Sequence, residues 1–396
     1  MHLSYRKFRS VNELPTEWNL ALQNTKHPLH SSQIGLSEAC ATAHMQYYYV
    51  MTYADNRLVM CSYFQHLQIQ VSHFNCKSRL PEWLGLQSII QCLRPSLLVA
   101  GNLFRHDAFY VQPIGPYQED ESCNWYLDTV EEMMRISKAS GVFIKDLPEA
   151  QAAVMNRHPR FMSMQDDITM VFDIPSEWTS MNDYQQALKH KYVQRFKKIR
   201  KQAVPLTVKA LSLLDIEQEQ YTLEALYRQV SDHQMVSMGK INHAYFPAQA
   251  KALGHDYRVF AWYDAEGNMK AFSSAIVRNG LYDMNYIGFD YASNNEYALY
   301  FNILFHCMQE AIEGKHRRLI LGRTALEAKA ILGCHPENMH GYYRLRHPLV
   351  RTMFKLISKQ FNTQWGDTWR NRHPFKQSFY TEQGLSAVTD TELVDA

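Results

Sequence analysis

The segment KAFSSAIVRNGLYDMNYIG at 270–288 decides the fold of the second half of the chain, because two β-rich runs meet there at Asn279-Gly280. Both residues accept a positive φ, and this dipeptide is the strongest short-range signal for a type I′ β-hairpin. The run YRVFAWY at 257–263 and the turn DAEGN precede the hairpin and add a further strand. The segment therefore predicts an antiparallel meander.

A buried helix and a buried strand are predicted after the meander. Asn294 or Asn295 precedes a run over roughly 296–313 that is apolar on nearly all sides, and Gly314 ends it. RRLILG at 317–322 has the composition of a buried strand. A whole helix precedes this strand, which favours parallel pairing with the last strand of the meander.

The first half of the chain shows a similar order of elements. A long hairpin, a short strand, a helix and two strands are predicted at 46–71, 97–101, 123–139, 142–146 and 167–174. At 396 residues the chain exceeds the ~250–300 residues at which a single core stops growing. We expect mixed α/β sheets in two tandem domains, 1–174 and 175–396, with the boundary near Pro175.

Composition excludes several classes of protein. The formal net charge of +2 argues against a dedicated nucleic-acid binder. The seven cysteines form no C-x-x-C pair, so we expect reduced thiols, no metal site and no permanently bound cofactor. The N-terminus lacks the apolar region of a signal peptide, and no run approaches the ~18 apolar residues of a membrane span. We expect a cytoplasmic protein, with peripheral contact to the inner membrane as an option.

The run DYQQALKHKYVQRFKKIRKQ at 183–202 predicts a basic amphipathic helix. Leu188, Tyr192, Phe196 and Ile199 follow helical spacing and form one apolar stripe. Seven Lys and Arg residues occupy the rest of 189–201. A solvated face is the simpler interpretation of this pattern. The functional one is a docking site for the phosphates of coenzyme A, a nucleotide-linked precursor, tRNA or anionic lipid.

Two motifs resemble FemX-type acyltransferases, which carry the GNAT fold of the N-acetyltransferases. The helix that opens the family's second domain is matched at Tyr184, Ala187, Leu188, Lys191, Tyr192 and Arg195. Its closing segment is matched by LGRTALEAKAILG at 321–333, at Gly322, Arg323, Glu327 and Lys329. The resemblance covers about 180–345 well and implies two tandem GNAT-like acyl-CoA N-acyltransferase domains. It also implies that Lys329 steadies negative charge during transfer to an amine.

The residues around this closing segment make a candidate site on physical grounds as well. A strand that ends at Gly322 and opens through Arg323 and Thr324 into a helix exposes backbone N–H groups, and Arg323 adds a forked donor. The predicted substrate-binding residues are Gly322, Arg323, Thr324, Lys191, Tyr192, Arg195 and Lys198, and the predicted catalytic residues are Lys329, Tyr286 and Asp283. Tyr286 is the candidate proton donor to a leaving thiolate. Asp283, Asp290, Glu327 and His243 are the candidate bases.

One segment departs from the acetyl-CoA enzymes of this fold. These enzymes cradle pyrophosphate with a Gly-rich loop before the long helix, whereas the chain has GFDYASNNEYA at 288–298, in which only Gly288 is well placed. The donor therefore stays open between acyl-CoA and acyl carrier protein.

The C-terminal region suggests a contact with lipid. HPLVRTMFKLISKQF at 347–361 combines an apolar stripe with Arg351, Lys355 and Lys359, which predicts a basic amphipathic helix. Packing on its own domain is the simpler interpretation, and binding to an anionic membrane is the alternative.

The leading hypothesis is a bacterial N-acyltransferase that moves an acyl group from a thioester to a primary amine on a small molecule or a long-chain amino lipid. The first alternative is a FemAB-like transferase that uses aminoacyl-tRNA to extend a peptidoglycan precursor, and tRNA is the only nucleic acid we expect as a partner. The second is a non-catalytic protein that binds anionic lipid.

Overall fold

The computed structural model describes most of the chain. The described residues are 2–24, 27–40, 45–74, 87–88, 90–105, 111–147, 149–158, 161–164, 168–234, 236–347, 351–352 and 370–384. Most of the predicted 347–361 helix therefore lies outside the described residues. None of the helices in the described ranges combines the length and apolar character that crossing a bilayer requires.

Strands and helices alternate along the chain. The strands are β1 Leu3–Phe8, β2 Met45–Ala54, β3 Arg57–Gln68, β4 Ser96–Ala100, β5 Val111–Pro113, β6 Gly141–Leu147, β7 Met162–Met164, β8 Ile168–Asp173, β9 Thr207–Ala210, β10 Tyr257–Tyr263, β11 Met269–Arg278, β12 Leu281–Phe289, β13 Arg318–Gly322, β14 His335–Asn338 and β15 His340–Leu345. The described helices are α1 Thr16–Leu22, α2 Ser31–Cys40, α3 Glu119–Ser137, α4 Glu149–Met155, α5 Met181–Ala187, α6 His190–Gln202, α7 Leu213–Gln218, α8 Gln220–Ser231, α9 Tyr245–Leu253, α10 Tyr291–Tyr297, α11 Leu299–Glu313, α12 Leu326–Ala330 and α13 Gln377–Glu382.

The chain divides into two compact units. Unit 1 comprises Met1–Asp167, Ser212–Tyr257 and Asn338–Asp367, and unit 2 comprises Ile168–Leu211, Arg258–Glu337 and Thr368–Ala396. The division into domains 1–174 and 175–396 stays a prediction about the repeated folds. The compact units group the chain differently, since α7, α8 and α9 belong to unit 1.

Each unit contains one mixed sheet. The sheet of unit 1 has the order β1-β2-β3-β4-β6-β15-β7, with β5 also paired to β3. The other sheet has the order β14-β8-β13-β12-β11-β10-β9. Strand β15 comes late in the chain but lies between β6 and β7, and β8 follows β7 in sequence but pairs with β13. Each sheet therefore includes a strand from the other half of the chain.

The predicted hairpin and parallel strand are both confirmed. Asn279 and Gly280 have φ of 51° and 74°, as a type I′ turn requires. Leu281–Arg318, Tyr282–Leu319 and Asp283–Ile320 are the parallel pairs between β12 and β13. Helix α11 packs on β11, β12 and β13, and its buried residues include Leu299, Ile303, Leu304 and Ile312.

The predicted helix at 296–313 begins later than expected. Its first two residues end the separate helix α10, and α11 starts at Leu299. Ala298 takes the left-handed conformation between α10 and α11, and the Asn294 side chain accepts a hydrogen bond from the Tyr300 N–H at 3.0 Å. Asn294 therefore bonds to an N–H in the first turn of α11 from within α10, whereas Ala298 occupies the N-cap position.

The predicted basic helix at 183–202 is also wrong in its continuity, because it breaks between α5 and α6. Leu188 and Lys189 are extended, with ψ of 147° and 148°. The Lys189 N–H donates to the Pro374 carbonyl at 2.8 Å, and Leu188 forms a β-bridge with Phe375. Hydrogen bonding with this distant segment replaces the local helical bonds that propensity favours.

Candidate active site

The two central strands of unit 2 are paired only at their beginnings. Strand β12 is paired with β13 over residues 281–283 and then continues alone on that side to Phe289 within the described chain. Strand β13 ends at Gly322, whose φ of 78° turns the chain towards α12. The sheet is therefore open at this end.

A bulge in the neighbouring strand reinforces the separated part of β12. The register between β11 and β12 shifts between Ser273 and Ala275. The Ser274 hydroxyl donates to the Tyr286 carbonyl and accepts from the Tyr286 N–H, both at 3.0 Å. These bonds satisfy backbone groups that the bulge removes from the ladder, so β12 stays ordered without β13 beside it.

A cavity of about 550 Å³ opens beside α12 in unit 2. Its lining residues are Lys191, Tyr192, Arg195, Phe301, Glu327, Ala328, Ile331 and Arg372. Three of these carry a positive charge and one a negative charge. The cavity therefore unites three predicted binding residues, Lys191, Tyr192 and Arg195, with Glu327 from the second motif.

The amphipathic pattern of α6 directs its cations to this cavity. Phe196 and Ile199 are buried in the core of unit 2, while Lys191 and Arg195 are exposed. The Arg195 guanidinium carbon lies 5.0 Å from the Phe301 ring centroid, and Lys191 Nζ lies 5.1 Å from that of Tyr192. Cation–π contacts of this kind hold a cation in place without neutralising it.

The charges of the cavity are unevenly paired. Within the described chain, neither Lys191 nor Arg195 forms an ion pair, whereas Arg372 pairs with Glu327. Arg372 Nε donates to Glu327 Oε1 at 3.1 Å, and Nη2 contacts the same oxygen. Lys191 and Arg195 are therefore available for an anionic ligand. The Tyr192 and Phe301 rings position these two cations.

Lys329 lies behind the cavity wall. Its side chain is only 2% exposed, and Nζ donates to the Gly322 carbonyl at 3.1 Å. Burial lowers the pKa of Lys329 to about 7, an effect that nearby Cys334 partly opposes. Lys329 is part of the buried interior of unit 2, because the short helix α12 turns it inward to hold the end of β13. Its role in transfer stays a prediction.

Sequence comparisons assign no family, since no family model and no curated protein matches the chain. Solved structures do match. FemX is 11% identical, with a TM-score of 0.50, and the match covers 89% of this chain and 99% of FemX.

The chain has the FemX fold. This confirms the tandem GNAT-like fold that the sequence resemblance implied. A tandem GNAT protein from the clavulanic acid biosynthesis pathway is also similar, with a TM-score of 0.46, 10% identity and coverage of 88% of this chain and 99% of that one. L-PGS from Bacillus licheniformis has a TM-score of 0.49 and 10% identity, with coverage of 87% and 96%. At 11% identity, the FemX match establishes the fold alone and leaves the reaction to the site itself.

Several predicted site residues of unit 2 lie outside the cavity lining. Asp283 is buried at the last position where β12 pairs with β13. Tyr286 is partly exposed on the part of β12 that continues without β13. Arg323 is partly exposed, whereas Thr324 and Lys198 are exposed. Gly322 is connected to the cavity wall through Lys329. The roles of these residues stay predictions.

Two of the candidate bases have structural contacts. Asp290 caps α10, where it accepts from the Ala292 N–H at 3.1 Å and from the Ser293 hydroxyl at 2.5 Å. His243 belongs to unit 1, where it stacks on Tyr221 with ring centroids 4.6 Å apart and lies 3.5 Å from Glu224. Glu327 is the candidate that lines the cavity.

The segment after β12 is folded into a helix in this FemX-like chain. Residues of GFDYASNNEYA form α10, and the Asn294 side chain occupies the Tyr300 N–H at the start of α11. Asn302 Nδ2 donates to the Tyr297 and Ala298 carbonyls at 2.9 and 3.2 Å. A pyrophosphate cradle needs its amide groups available to the ligand, so the geometry agrees with the sequence departure.

Sequence reasoning missed Arg372 as a cavity residue. No local pattern connects it to Glu327, 45 residues earlier in the chain. Among the described residues, no group of three or more His, Cys, Asp or Glu side chains is arranged to hold a metal ion.

Proposed function

We propose that this protein is an acyltransferase that moves an acyl group from a thioester donor, acyl-CoA or acyl carrier protein, to a primary amine. The observation that supports this most is the cavity of Lys191, Arg195, Arg372 and Glu327 beside α12, the helix that follows β13 in the chain. Its cations suit the phosphate-bearing part of a donor or acceptor. The separated strands leave room for an extended acyl or amine chain.

The proposed reaction needs charge stabilisation and two proton transfers. The amine nitrogen attacks the thioester carbonyl, a C–N bond forms, and the C–S bond breaks after a tetrahedral oxyanion. The ammonium must lose a proton, for which Asp283 and Glu327 are the hypothesised acceptors, and the thiolate must gain one, for which Tyr286 is the hypothesised donor. Lys329 is proposed to favour the oxyanion, directly or through its bond to the Gly322 carbonyl.

A second candidate reaction is aminoacyl transfer from tRNA. The observation that favours it is α10, because Asn294 occupies an amide where acetyl-CoA enzymes of this fold hold pyrophosphate. The donor bond would then be an ester, and a hydroxyl would leave instead of a thiolate. The cavity and the separated strands could bind either donor.

The acceptor is proposed to be a small amine or a long-chain amino lipid collected at an anionic membrane. Each Lys or Arg near an anionic surface contributes about 1 kcal/mol to binding. Sedimentation with anionic liposomes at low salt tests this part, and a wild-type protein that stays in the supernatant would remove the lipid acceptor from the proposal.

The reaction is tested by mass spectrometry of amide products. Purified protein is incubated with acetyl-CoA, a long-chain acyl-CoA, an acyl carrier protein thioester or aminoacyl-tRNA, each with a panel of primary amines. Arg195→Glu should reduce the turnover of the productive pair by about 100-fold, because it puts a negative charge in the cavity. Lys197→Glu, an exposed change on the same helix, is the matched control. No amide from any pair would refute the proposal.

A further inference from the structure

The C-terminal segment 370–384 is fastened to the junction between α5 and α6 in unit 2. The Lys189 N–H donates to the Pro374 carbonyl at 2.8 Å, and the Lys376 N–H donates to the Ala187 carbonyl at 2.8 Å. Lys376 Nζ adds a bond to the Gln186 carbonyl at 2.7 Å. These bonds lie on both sides of Phe375, so we call 370–384 the C-terminal strap.

Phe375 anchors the strap in the core. It is 1% exposed, and its ring centroid lies 4.3 Å from that of Phe379 and 5.6 Å from that of Phe172. Gly333 makes room for it, since a Cβ at that position would lie 2.1 Å from Phe375 Cε2. The glycine that closes the second sequence motif therefore serves as the seat of the strap.

The strap carries Arg372 to the cavity. Arg372 stands two residues before Pro374, and its guanidinium contacts Glu327 through Nε and Nη2. Only here does the strap line the cavity among the described residues. A segment that is distant in sequence thus supplies the one cation that is paired with the cavity's carboxylate.

The charge of the cavity depends on this pair. Lys191 and Arg195 contribute two positive charges, and Arg372 cancels the negative charge of Glu327. The net charge is +2, which suits a phosphate-type dianion. Without Arg372 the net charge would be +1, and an uncompensated carboxylate would face the ligand.

We infer that Arg372 is a specificity-determining residue that sets the charge of the cavity by neutralising Glu327, so that the site accepts a ligand with a doubly charged phosphate group. This inference rests on the proposed function of the cavity as the anion site of the transferase. It goes beyond that proposal because it makes the C-terminal strap a part of the site.

Calorimetric titration with inorganic phosphate at pH 8, where it is a dianion, and at low salt tests the inference on the full chain. Arg372→Ala should weaken binding about tenfold, as expected for one uncompensated charge near the ligand. Glu327→Gln should strengthen it several-fold. The double variant Arg372→Ala/Glu327→Gln restores the net charge of +2 and should bind within about threefold of the wild type.

Matched variants separate charge from folding. Arg372→Lys keeps the charge and should keep most of the affinity, whereas Arg370→Ala changes an exposed residue of the same strap and should change nothing. A double variant that binds as weakly as Arg372→Ala overturns the inference, since Arg372 would then act by direct contact or by holding the strap. No measurable phosphate binding by the wild type overturns it as well.

The outcome is independent of the proposed reaction. If the four affinities follow the charge pattern but no amide forms with any donor, the transferase proposal fails and the charge-setting role of Arg372 stands. If amide forms and the affinities ignore the charge of residues 327 and 372, the transferase proposal stands and the inference fails.

Discussion

The two units differ at the ends of their parallel central strands. In unit 1, β4 and β6 pair from Leu97–Gly141 to Ala100–Ile144, so the pairing reaches the last residue of β4. In unit 2, β12 is paired with β13 over three positions and then continues for six residues without it. A similar order of elements thus produces a closed strand end in one unit and an open one in the other.

The polar residues at the two ends differ as well. In unit 1, the buried Lys145 pairs with Asp146, and the Gln65 side chain accepts from the Leu103 N–H at 2.8 Å. In unit 2, Lys191 and Arg195 face a cavity with no carboxylate at ion-pair distance in the described chain. Buried polar groups that form hydrogen bonds with one another stabilise a fold, whereas unpaired cations that line an open cavity can bind an anionic ligand. The comparison therefore supports the proposal of a ligand site in unit 2.

The largest expected effect concerns Lys329. Lys329→Met should lower the transfer rate by about 100- to 1,000-fold, as expected for loss of an oxyanion-type donor. Methionine preserves the volume of this buried side chain, which alanine would not. Single-turnover rates on the productive donor and amine provide the measurement, with Lys197→Met as the exposed control. Unchanged turnover would leave Lys329 a purely structural residue.

The next effect tests whether unit 1 takes part in the chemistry. Asp146→Asn removes the negative charge from the buried ion pair with Lys145 and should lower the free energy of unfolding by about 3 kcal/mol. Asp120→Asn breaks an exposed pair with Arg157 and should change it by less than about 0.5 kcal/mol. Urea denaturation gives both values. Turnover per folded molecule should be unaffected in both variants. Its loss in Asp146→Asn alone would mean that unit 1 takes part in the chemistry.

A smaller effect concerns the seat of the strap. Gly333→Ala places a methyl group against the Phe375 ring at a φ of +96°, whereas Gly267→Ala has a φ of +83° and no atom within 4 Å. Both pay for the left-handed conformation, but only the first also displaces a core ring. Thermal unfolding should show Gly333→Ala to be less stable than Gly267→Ala by about 2 kcal/mol. Equal losses of stability in the two variants would mean that the strap moves away from the added methyl group at no cost in free energy.

The last effect is a gradual dependence of stability on pH. Burial lowers the pKa of Lys329 from 10.5 to about 7, so between these values the unfolded chain binds more protons than the folded one. The penalty for burying the charge is complete below pH 7 and fades as the pH rises. The stability of the wild type relative to Lys329→Met should therefore increase from pH 7 to pH 9, by at most about 1.4 kcal/mol per pH unit.

The pH range of this measurement is set by Cys334. Burial raises the pKa of its thiol from 9.0 to about 12, which lowers stability as the pH rises above 9. Denaturant titrations at pH 7, 8 and 9 avoid that contribution. Parallel curves for the wild type and Lys329→Met would show that Lys329 is not held in a desolvated environment.

Local patterns in the sequence determined much of the fold. Asn279-Gly280 specifies a hairpin because few dipeptides accept two positive φ values, and α11 with β13 follows from uninterrupted apolar runs. The apolar stripe of α6 likewise determined that Lys191 and Arg195 face away from the core. Each of these features depends on residues within a few turns of one another.

Only the tertiary structure decided the break at Leu188–Lys189, the burial of Lys329 and the arrival of Arg372 in the cavity. The break exists because these two residues bond to a strap about 185 residues later in the chain. Lys329 and Leu326 are on one short helix, and nothing in that pattern shows which of its faces the rest of unit 2 covers. Contacts across such separations are selected by the packing of the whole unit, since only the folded core determines which backbone and side-chain groups meet.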